Sequence, residues 1–129
     1  MVSIVIVSHS QKLADSVTEI ALLMARTAKI EAVGGNDDGD FGSSERKIIQ
    51  AIEKMYTEEG TIVIADIGSS VNTAKSAIKK VIESGKTNVV LADCPMIEGA
   101  IAAAVMSSVD MPMSEVVRQA EDAKKLKKA

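Results

Sequence analysis

Short apolar runs that alternate with segments of helical period are the feature that most constrains how this chain can fold. The predicted strands, each apolar and rich in β-branched residues, are residues 2–7, 29–33, 61–65 and 88–92. The predicted helices, in which apolar residues recur every three to four positions, are residues 13–24, 44–55, 70–82 and 97–106. Strands that are apolar throughout and separated by helices predict an α/β fold, an open, mainly parallel sheet with helices on both faces.

The predicted strand order is 2-1-3-4, which is common in sheets of this kind and makes strands one and three neighbours. The segment 106–113 could add a short extra strand at an edge, where Pro112 would suit a strand end. We expect Ser114 to cap a final helix that begins at Glu115.

Length, charge and cysteine content limit the class of protein. A chain of 129 residues with 47% hydrophobic residues fits one domain, which we expect to span residues 1–129. One cysteine permits no intrachain disulfide, and the first apolar run is too short for a signal segment or a membrane span. The net charge is −3, and the basic residues are scattered except for a tail at 124–128, interpreted as the solvated end of a helix. These features predict a cytoplasmic protein with no membrane span and no nucleic-acid partner.

The residue types that usually hold cofactors are scarce. The chain has no Trp, one Tyr and one Phe, so it lacks the aromatic platforms on which flavins and unpaired bases are usually stacked. It also lacks the Gly-Lys-Ser/Thr sequence of a nucleotide-kinase phosphate loop. We therefore expect no bound cofactor and no metal.

Candidate functional residues should lie in the strand-to-helix loops, because the carboxyl ends of parallel strands border the ligand crevice. The only histidine, His9, follows the first predicted strand, and Asp66 follows the third. In the predicted order they emerge about 5 Å apart, one strand spacing, at the point where the strand order reverses. If Asp66 accepts the proton of one ring nitrogen, the other nitrogen of His9 is free to accept a phosphoryl group. The helix that follows His9 favours that group through the positive end of its dipole.

Each candidate also has a purely structural interpretation. His9 could be a hydrogen-bonded polar residue at a strand end, and Asp66 a turn or helix-capping aspartate. Asp93 and Glu98 could cap or flank the fourth helix. Cys94 could be a small buried residue, since no second histidine is present to activate it. The pair of His9 and Asp66 indicates a phosphoryl-accepting site more specifically than either residue does alone.

The four predicted loops are acidic. They contain no Lys or Arg and six carboxylates, namely Asp37, Asp38, Asp40, Asp66, Asp93 and Glu98. A site that retains phosphate normally uses basic side chains, so these acids favour brief phosphoryl transit and electrostatic attraction of a basic protein. The alternative interpretation is that these acids are ordinary solvent-exposed loop residues.

Four motifs occupy the loops in a fixed order. They are Ser8-His9-Ser10, then Gly34-Gly35 with Asp38-Gly39 and Gly42-Ser43-Ser44, then Asp66-Ile67-Gly68-Ser69, and finally Pro95-Met96-Ile97-Glu98-Gly99-Ala100. Together they resemble the mannose-type enzyme IIA family of the bacterial phosphotransferase system, in the branch that serves dihydroxyacetone kinase, and the similarity runs from residue 2 to about residue 122. Ser43 stands where that branch has Thr. The sugar-transporting branch would show Gly-Thr-His-Gly at the histidine and Gly-Gly-Ser-Pro after the aspartate, which this chain lacks.

The resemblance implies a phosphotransferase component that carries the phosphoryl group covalently. HPr would phosphorylate His9 on Nε2, Asp66 would orient the ring, and the group would pass to ADP on the nucleotide-binding subunit of the kinase. A homodimer is also implied. Some relatives carry fused carrier domains, and because this chain ends after the first domain we expect its partners to be separate proteins. We expect the remaining partner-contacting residues in the same loops: Ser8, Ser10, Gly39, Gly42, Ser43, Gly68, Ser69 and Glu98.

Two other functions stay open, a mannose-type sugar-transport enzyme IIA and a phosphorylation-dependent regulatory module. The scarcity of aromatic residues disfavours a flavodoxin-like cofactor binder. A response-regulator receiver needs acids at the end of the first strand, where this chain has Ser8-His9-Ser10. A phosphoglycerate-mutase-like phosphatase needs a second histidine and nearby arginines, so the single histidine excludes it.

Overall fold

The computed structural model describes residues 1–129. Its strands are β1 (Ser3–Ser8), β2 (Lys29–Gly34), β3 (Thr61–Ala65) and β4 (Val89–Leu91). Its helices are α1 (Gln11–Met24), α2 (Glu45–Met55), α3 (Gly68–Glu83), α4 (Met96–Ser108) and α5 (Met113–Asp122), followed by a single 3-10 turn at Ala123–Lys125. The strands form one parallel sheet in the order β2-β1-β3-β4, which confirms the predicted α/β class and strand order. No helix combines the length and the hydropathy needed to cross a membrane.

The central strands β1 and β3 are buried along their whole length. In β1, Ile4 and Ile6 belong to a core covered by α1, α4 and α5, whereas Val5 and Val7 belong to a second core covered by α2 and α3. Because both faces of the sheet are covered, successive residues of β1 must all be apolar, and the strand reads as a continuous apolar run.

The register of the sheet brings the loops after β1, β2 and β3 to one edge. Val7 pairs with Ala65 of β3, and Ser8 pairs with Gly34 of β2. Gly34 is required at this edge, because a Cβ there would lie 2.6 Å from backbone atoms of Ser10 and Gln11. Any side chain at this position would displace the start of α1, and with it the loop that carries His9.

The predicted extra strand at 106–113 is wrong. Helix α4 continues to Ser108, and Asp110 then adopts a left-handed conformation with φ 59°. The amide of Asp110 donates to the carbonyl of Ser107 at 2.9 Å, and the amide of Met111 donates to that of Met106 at 3.1 Å. These two bonds form a Schellman motif, which satisfies the last carbonyls of the helix and leaves no extended segment to pair with the sheet.

The predicted cap of the last helix is also wrong. Helix α5 begins at Met113, one residue before Ser114, and Pro112 occupies the N-cap position without a side-chain hydrogen bond. The carbonyl of Pro112 accepts from the amides of Glu115 and Val116 at 2.9 and 3.0 Å. Because the helix already begins at Met113, Ser114 lies inside its first turn, whereas an N-cap residue must precede the helix.

Candidate active site

His9 and Asp66 face each other at the carboxyl ends of neighbouring strands. His9 follows β1, Asp66 follows β3, and His9 Nδ1 lies 2.6 Å from Asp66 Oδ2. The carboxylate side chain is 5% exposed, whereas the imidazole is 35% exposed. The structure therefore brings the two residues into contact where the strand order reverses, and it leaves the imidazole accessible to solvent.

The hydrogen bonds of Asp66 fix both its charge and the tautomer of His9. Oδ2 also accepts from Ser8 Oγ at 2.8 Å and from the His9 amide at 3.2 Å, while Oδ1 accepts from the Ile67 amide at 2.8 Å. Burial raises the pKa of Asp66, but the hydrogen bonds from Ser8, Ile67 and His9 outweigh it and hold this pKa below its usual value. An ionised carboxylate can only accept, so the proton lies on His9 Nδ1 and Nε2 keeps its lone pair.

Ser8 and Ser10 hold His9 between the end of β1 and the start of α1. The hydroxyl of Ser8 donates to Asp66 and accepts from the Ser10 amide at 3.0 Å. Ser10 is the N-cap of α1, and its hydroxyl accepts from the Leu13 amide at 3.3 Å. Both predicted serines therefore position the histidine through its flanking backbone, and neither forms a hydrogen bond with the imidazole.

The loop at residues 35–44 packs beside His9 and is held by several polar contacts. The Gly42 amide donates to the His9 carbonyl at 2.9 Å. The side-chain oxygen of Asn36 accepts from the amides of Asp38 and Asp40 at 3.0 and 2.9 Å. Gly39 and Gly42 have φ of 84° and 137°, values that favour glycine. These contacts fix the path of the loop past the histidine.

Lys47 is a supporting residue that the sequence analysis did not identify. Its ammonium group donates to the carbonyls of Gly34 at 2.8 Å and Asn36 at 3.3 Å. The residue lies on α2 rather than in a predicted loop, so its sequence position gave no signal. Its role follows from the way α2 packs beside the end of β2.

Phe41 is the second residue missed from sequence. Its ring centroid lies 6.0 Å from that of His9, the two planes are inclined by 44°, and the side chain is 78% exposed. From the sequence, Phe41 was considered only as one of the two aromatic residues of the Phe, Tyr and Trp types in the chain. Its position beside the histidine depends on the course of the 35–44 loop, which the apolar pattern does not encode.

The start of α3 borders the other side of Asp66. Ser43 Oγ lies 3.0 Å from Ser70 Oγ, and the Ser70 hydroxyl further lowers the pKa of Asp66. Gly68 and Ser69 form the exposed first turn of α3. Of this group the sequence analysis missed Ser70, which is fully buried and contacts the carboxylate through the packing of α3.

The acidic loop residues divide into three groups by their partners. Three have basic partners: Asp37 pairs with Arg46 at 3.0 Å, Asp93 with Lys124 at 3.1 Å, and Glu98 with Lys128 at 2.5 Å. Asp38 and Asp40 form no ion pair, and Asp66 faces His9. The tail at 124–128 is exposed, as expected of a solvated helix end, and two of its lysines also pair with these acids. Glu98 pairs with Lys128 of the tail and forms no hydrogen bond with His9 or Asp66.

A cleft of about 550 Å³ lies beyond the ends of β3 and β4, next to Asp66. Lys75, Asp93 and Cys94 line it together with apolar side chains. Burial raises the pKa of Cys94 to about 11, so its thiol is not a nucleophile at neutral pH. No three metal-ligating side chains converge on a common point, here or elsewhere in the structure.

Comparisons with a family model and with individual proteins agree on one family. Residues 3–119 match the model of EIIA-man, the PTS system fructose IIA component. The chain is 33% identical to the phosphoryl donor subunit DhaM of PEP-dependent dihydroxyacetone kinase 2 from Listeria innocua, over 92% of this chain and 95% of that protein. It is 32% identical to the corresponding DhaM subunit of Escherichia coli, over 99% of this chain but only 28% of that longer protein.

A solved structure has the same fold. The crystal structure of EF1359, a protein of unknown function, matches with a TM-score of 0.83 and 28% sequence identity. The match covers 94% of this chain and 93% of that protein, so the two share the whole arrangement of sheet and helices.

Proposed function

The chain belongs to the EIIA-man family of PTS fructose IIA components, and from this premise we propose that it is the phosphoryl donor subunit of a PEP-dependent dihydroxyacetone kinase. The observation that carries this proposal is the 2.6 Å contact between His9 Nδ1 and Asp66 Oδ2 beside a partly exposed imidazole. The names of the relatives from Listeria innocua and Escherichia coli support the choice of kinase.

His9 Nε2 is the proposed acceptor, and the proposed donor is the phosphohistidine of HPr. The Nε2 lone pair forms a new P–N bond while the donor's P–N bond breaks, and the donor ring leaves as neutral imidazole. No proton has to move, because the positive charge of the phosphorylated ring passes from the donor to His9 with the group. Asp66, 2.6 Å from Nδ1, stabilises that charge.

The second proposed transfer regenerates His9. A β-phosphate oxygen of ADP, held on the nucleotide-binding subunit of the kinase, attacks the phosphorus as the Nε2–P bond breaks. ATP forms on that subunit, and His9 returns as neutral imidazole with its proton still on Nδ1. The group is thus carried covalently between two proteins, and the scheme requires no resident cofactor.

We also propose a cellular compartment and an oligomeric state for this protein. A lone, partly buried cysteine fits a reducing compartment, and we place the protein in the cytoplasm. The resemblance to the mannose-type enzyme IIA family supports a homodimer.

The acceptor can be tested with isolated phosphoprotein. His9 is labelled from [³²P]phosphoenolpyruvate through enzyme I and HPr, the donors are removed, and ADP is added with the nucleotide-binding subunit. We expect labelled ATP, because the phosphoimidazole P–N bond is reactive enough to phosphorylate ADP. Thin-layer chromatography measures the product, and ADP without the subunit is the control.

Two outcomes would contradict the kinase role. Label that passes instead to a mannose-type enzyme IIB component would support the sugar-transport alternative. Label that passes to neither acceptor would support a regulatory module that receives the group without donating it.

A further inference from the structure

The surface around His9 carries an aromatic side chain that the fold does not need. Phe41 is the only phenylalanine of the chain, and 78% of its side chain is exposed. It belongs to neither hydrophobic core, and its one aromatic neighbour is the His9 ring at 6.0 Å. An exposed aromatic ring beside a reactive group has the character of residues that dominate protein interfaces, which are buried only when the partner binds.

The backbone of the loop that carries this ring is held by hydrogen bonds. The Lys47 ammonium group donates to the carbonyls of Gly34 and Asn36, and the side-chain oxygen of Asn36 accepts from two further amides of the loop. The Gly42 amide, next to Phe41, is bonded to the His9 carbonyl at 2.9 Å. A contact residue that is ordered before binding costs less conformational entropy on association.

The charges beside Phe41 indicate what kind of partner fits. Asp38 and Asp40 form no ion pair, whereas the neighbouring Asp37 is paired with Arg46. Lys12 borders the same depression as Asp40 and Phe41, so the unpaired charges of Lys12, Asp38 and Asp40 leave one net negative charge around the ring. It is complementary to a protein that surrounds an apolar contact with basic side chains.

We propose that Phe41 is the central apolar contact through which this protein docks a basic-faced phosphoryl-donor protein, with Asp38 and Asp40 attracting that partner. The inference rests on the proposed function, because it takes His9 as the acceptor. Phe41 acts on association with the donor protein and leaves the intrinsic reactivity of the imidazole unchanged.

Two phosphoryl donors of different size separate docking from chemistry. HPr requires a protein interface, whereas phosphoramidate reaches His9 as a small molecule. For Phe41→Ala we expect kcat/KM with HPr to fall roughly 10-fold, through a higher KM at an unchanged kcat. Truncation of a central aromatic side chain typically lowers affinity by at least that factor. The rate with phosphoramidate should equal that of wild type, and Phe41→Leu should recover most of the HPr rate.

Salt and a matched control complete the design. The Phe41→Ala effect should persist at high salt, whereas the double change Asp38→Asn with Asp40→Asn should lower the HPr rate only at low salt, since the screening length falls to about 8 Å at physiological ionic strength. Leu23→Ala is the control, because Leu23 is 72% exposed and lies near the far end of α1, about 18 Å from its first turn.

Four results would overturn the inference. If Phe41→Ala lowered the phosphorylation rate equally with HPr and with phosphoramidate, Phe41 would orient the His9 ring. If the HPr rate were unchanged but the phosphohistidine were hydrolysed faster, Phe41 would shield the phosphoryl group from water. A loss confined to transfer onto the nucleotide-binding subunit would assign the contact to the acceptor. A similar loss in Leu23→Ala would indicate a nonspecific effect. If wild type itself takes no label from either donor, the proposed function fails, which is a separate result.

Discussion

Replacing His9 by alanine is expected to abolish phosphorylation. The chain has one histidine, and its Nε2 is the free nucleophilic nitrogen left by the Nδ1 contact with Asp66. With phosphoenolpyruvate, enzyme I and HPr, the wild type should take up one phosphoryl group that is labile in acid and stable in base. His9→Ala should take up none. Intact-mass spectrometry before and after acid treatment measures both.

The fold should survive this change, so the loss can be assigned to chemistry. The imidazole is 35% exposed and lies outside both hydrophobic cores. Circular dichroism and the denaturant midpoint of His9→Ala should therefore stay close to wild type. Phosphate retained by this variant, in a form that hydroxylamine removes, would place the group on Asp66 and favour a receiver-type mechanism.

Asp66→Asn is expected to slow phosphoryl transfer by roughly 10² to 10⁴, as when the carboxylate that orients a catalytic histidine is replaced by an amide. The amide cannot accept all the hydrogen bonds that Asp66 accepts, because its NH₂ group must face either the donors at Oδ2 or the Ile67 amide at Oδ1. The orientation of the His9 ring and the proton on Nδ1 are then no longer fixed. The variant also loses the negative charge that stabilises the phosphorylated ring. Rapid-quench measurement of the first transfer from HPr gives the rate.

Asp93→Asn is the matched control for this change. Asp93 follows β4 at the same edge of the sheet, but it pairs with Lys124 and forms no hydrogen bond with His9. Its transfer rate should stay within about threefold of wild type, since an exposed ion pair contributes little. If Asp66→Asn transferred at the wild-type rate, the carboxylate would have no role in setting the reactive nitrogen.

The sheet and the central pair of the site could be predicted because both depend on local pattern. Continuous apolar runs such as 61–65 identify strands covered on two faces, and the strand order follows from how four such units usually connect. Once that order is given, residues directly after β1 and β3 must be neighbours. The contact between His9 and Asp66 therefore needed no information about side-chain packing.

The errors arose where long-range packing decides the outcome. Ser107 is buried and donates to the Val2 carbonyl, so α4 runs on where the apolar spacing allowed a strand. The tail is exposed as expected, but its ion pairs were not foreseen, because partners such as Lys124 and Asp93, which are 31 residues apart, leave no periodic signal. Lys47 and Phe41 were missed for the same reason, since their roles depend on the packing of α2 and on the path of one loop.

The most direct test of the central claim is the nitrogen spectrum of the single imidazole. In ¹⁵N-histidine-labelled protein, His9 gives the only side-chain ring signals, so no assignment is needed. We predict that the unphosphorylated ring carries its proton on Nδ1, and that phosphorylation produces a one-bond ³¹P coupling to Nε2. A neutral ring protonated on Nε2, or phosphorus coupled to Nδ1, would contradict the account in which Asp66 holds Nδ1 and leaves Nε2 to carry the phosphoryl group.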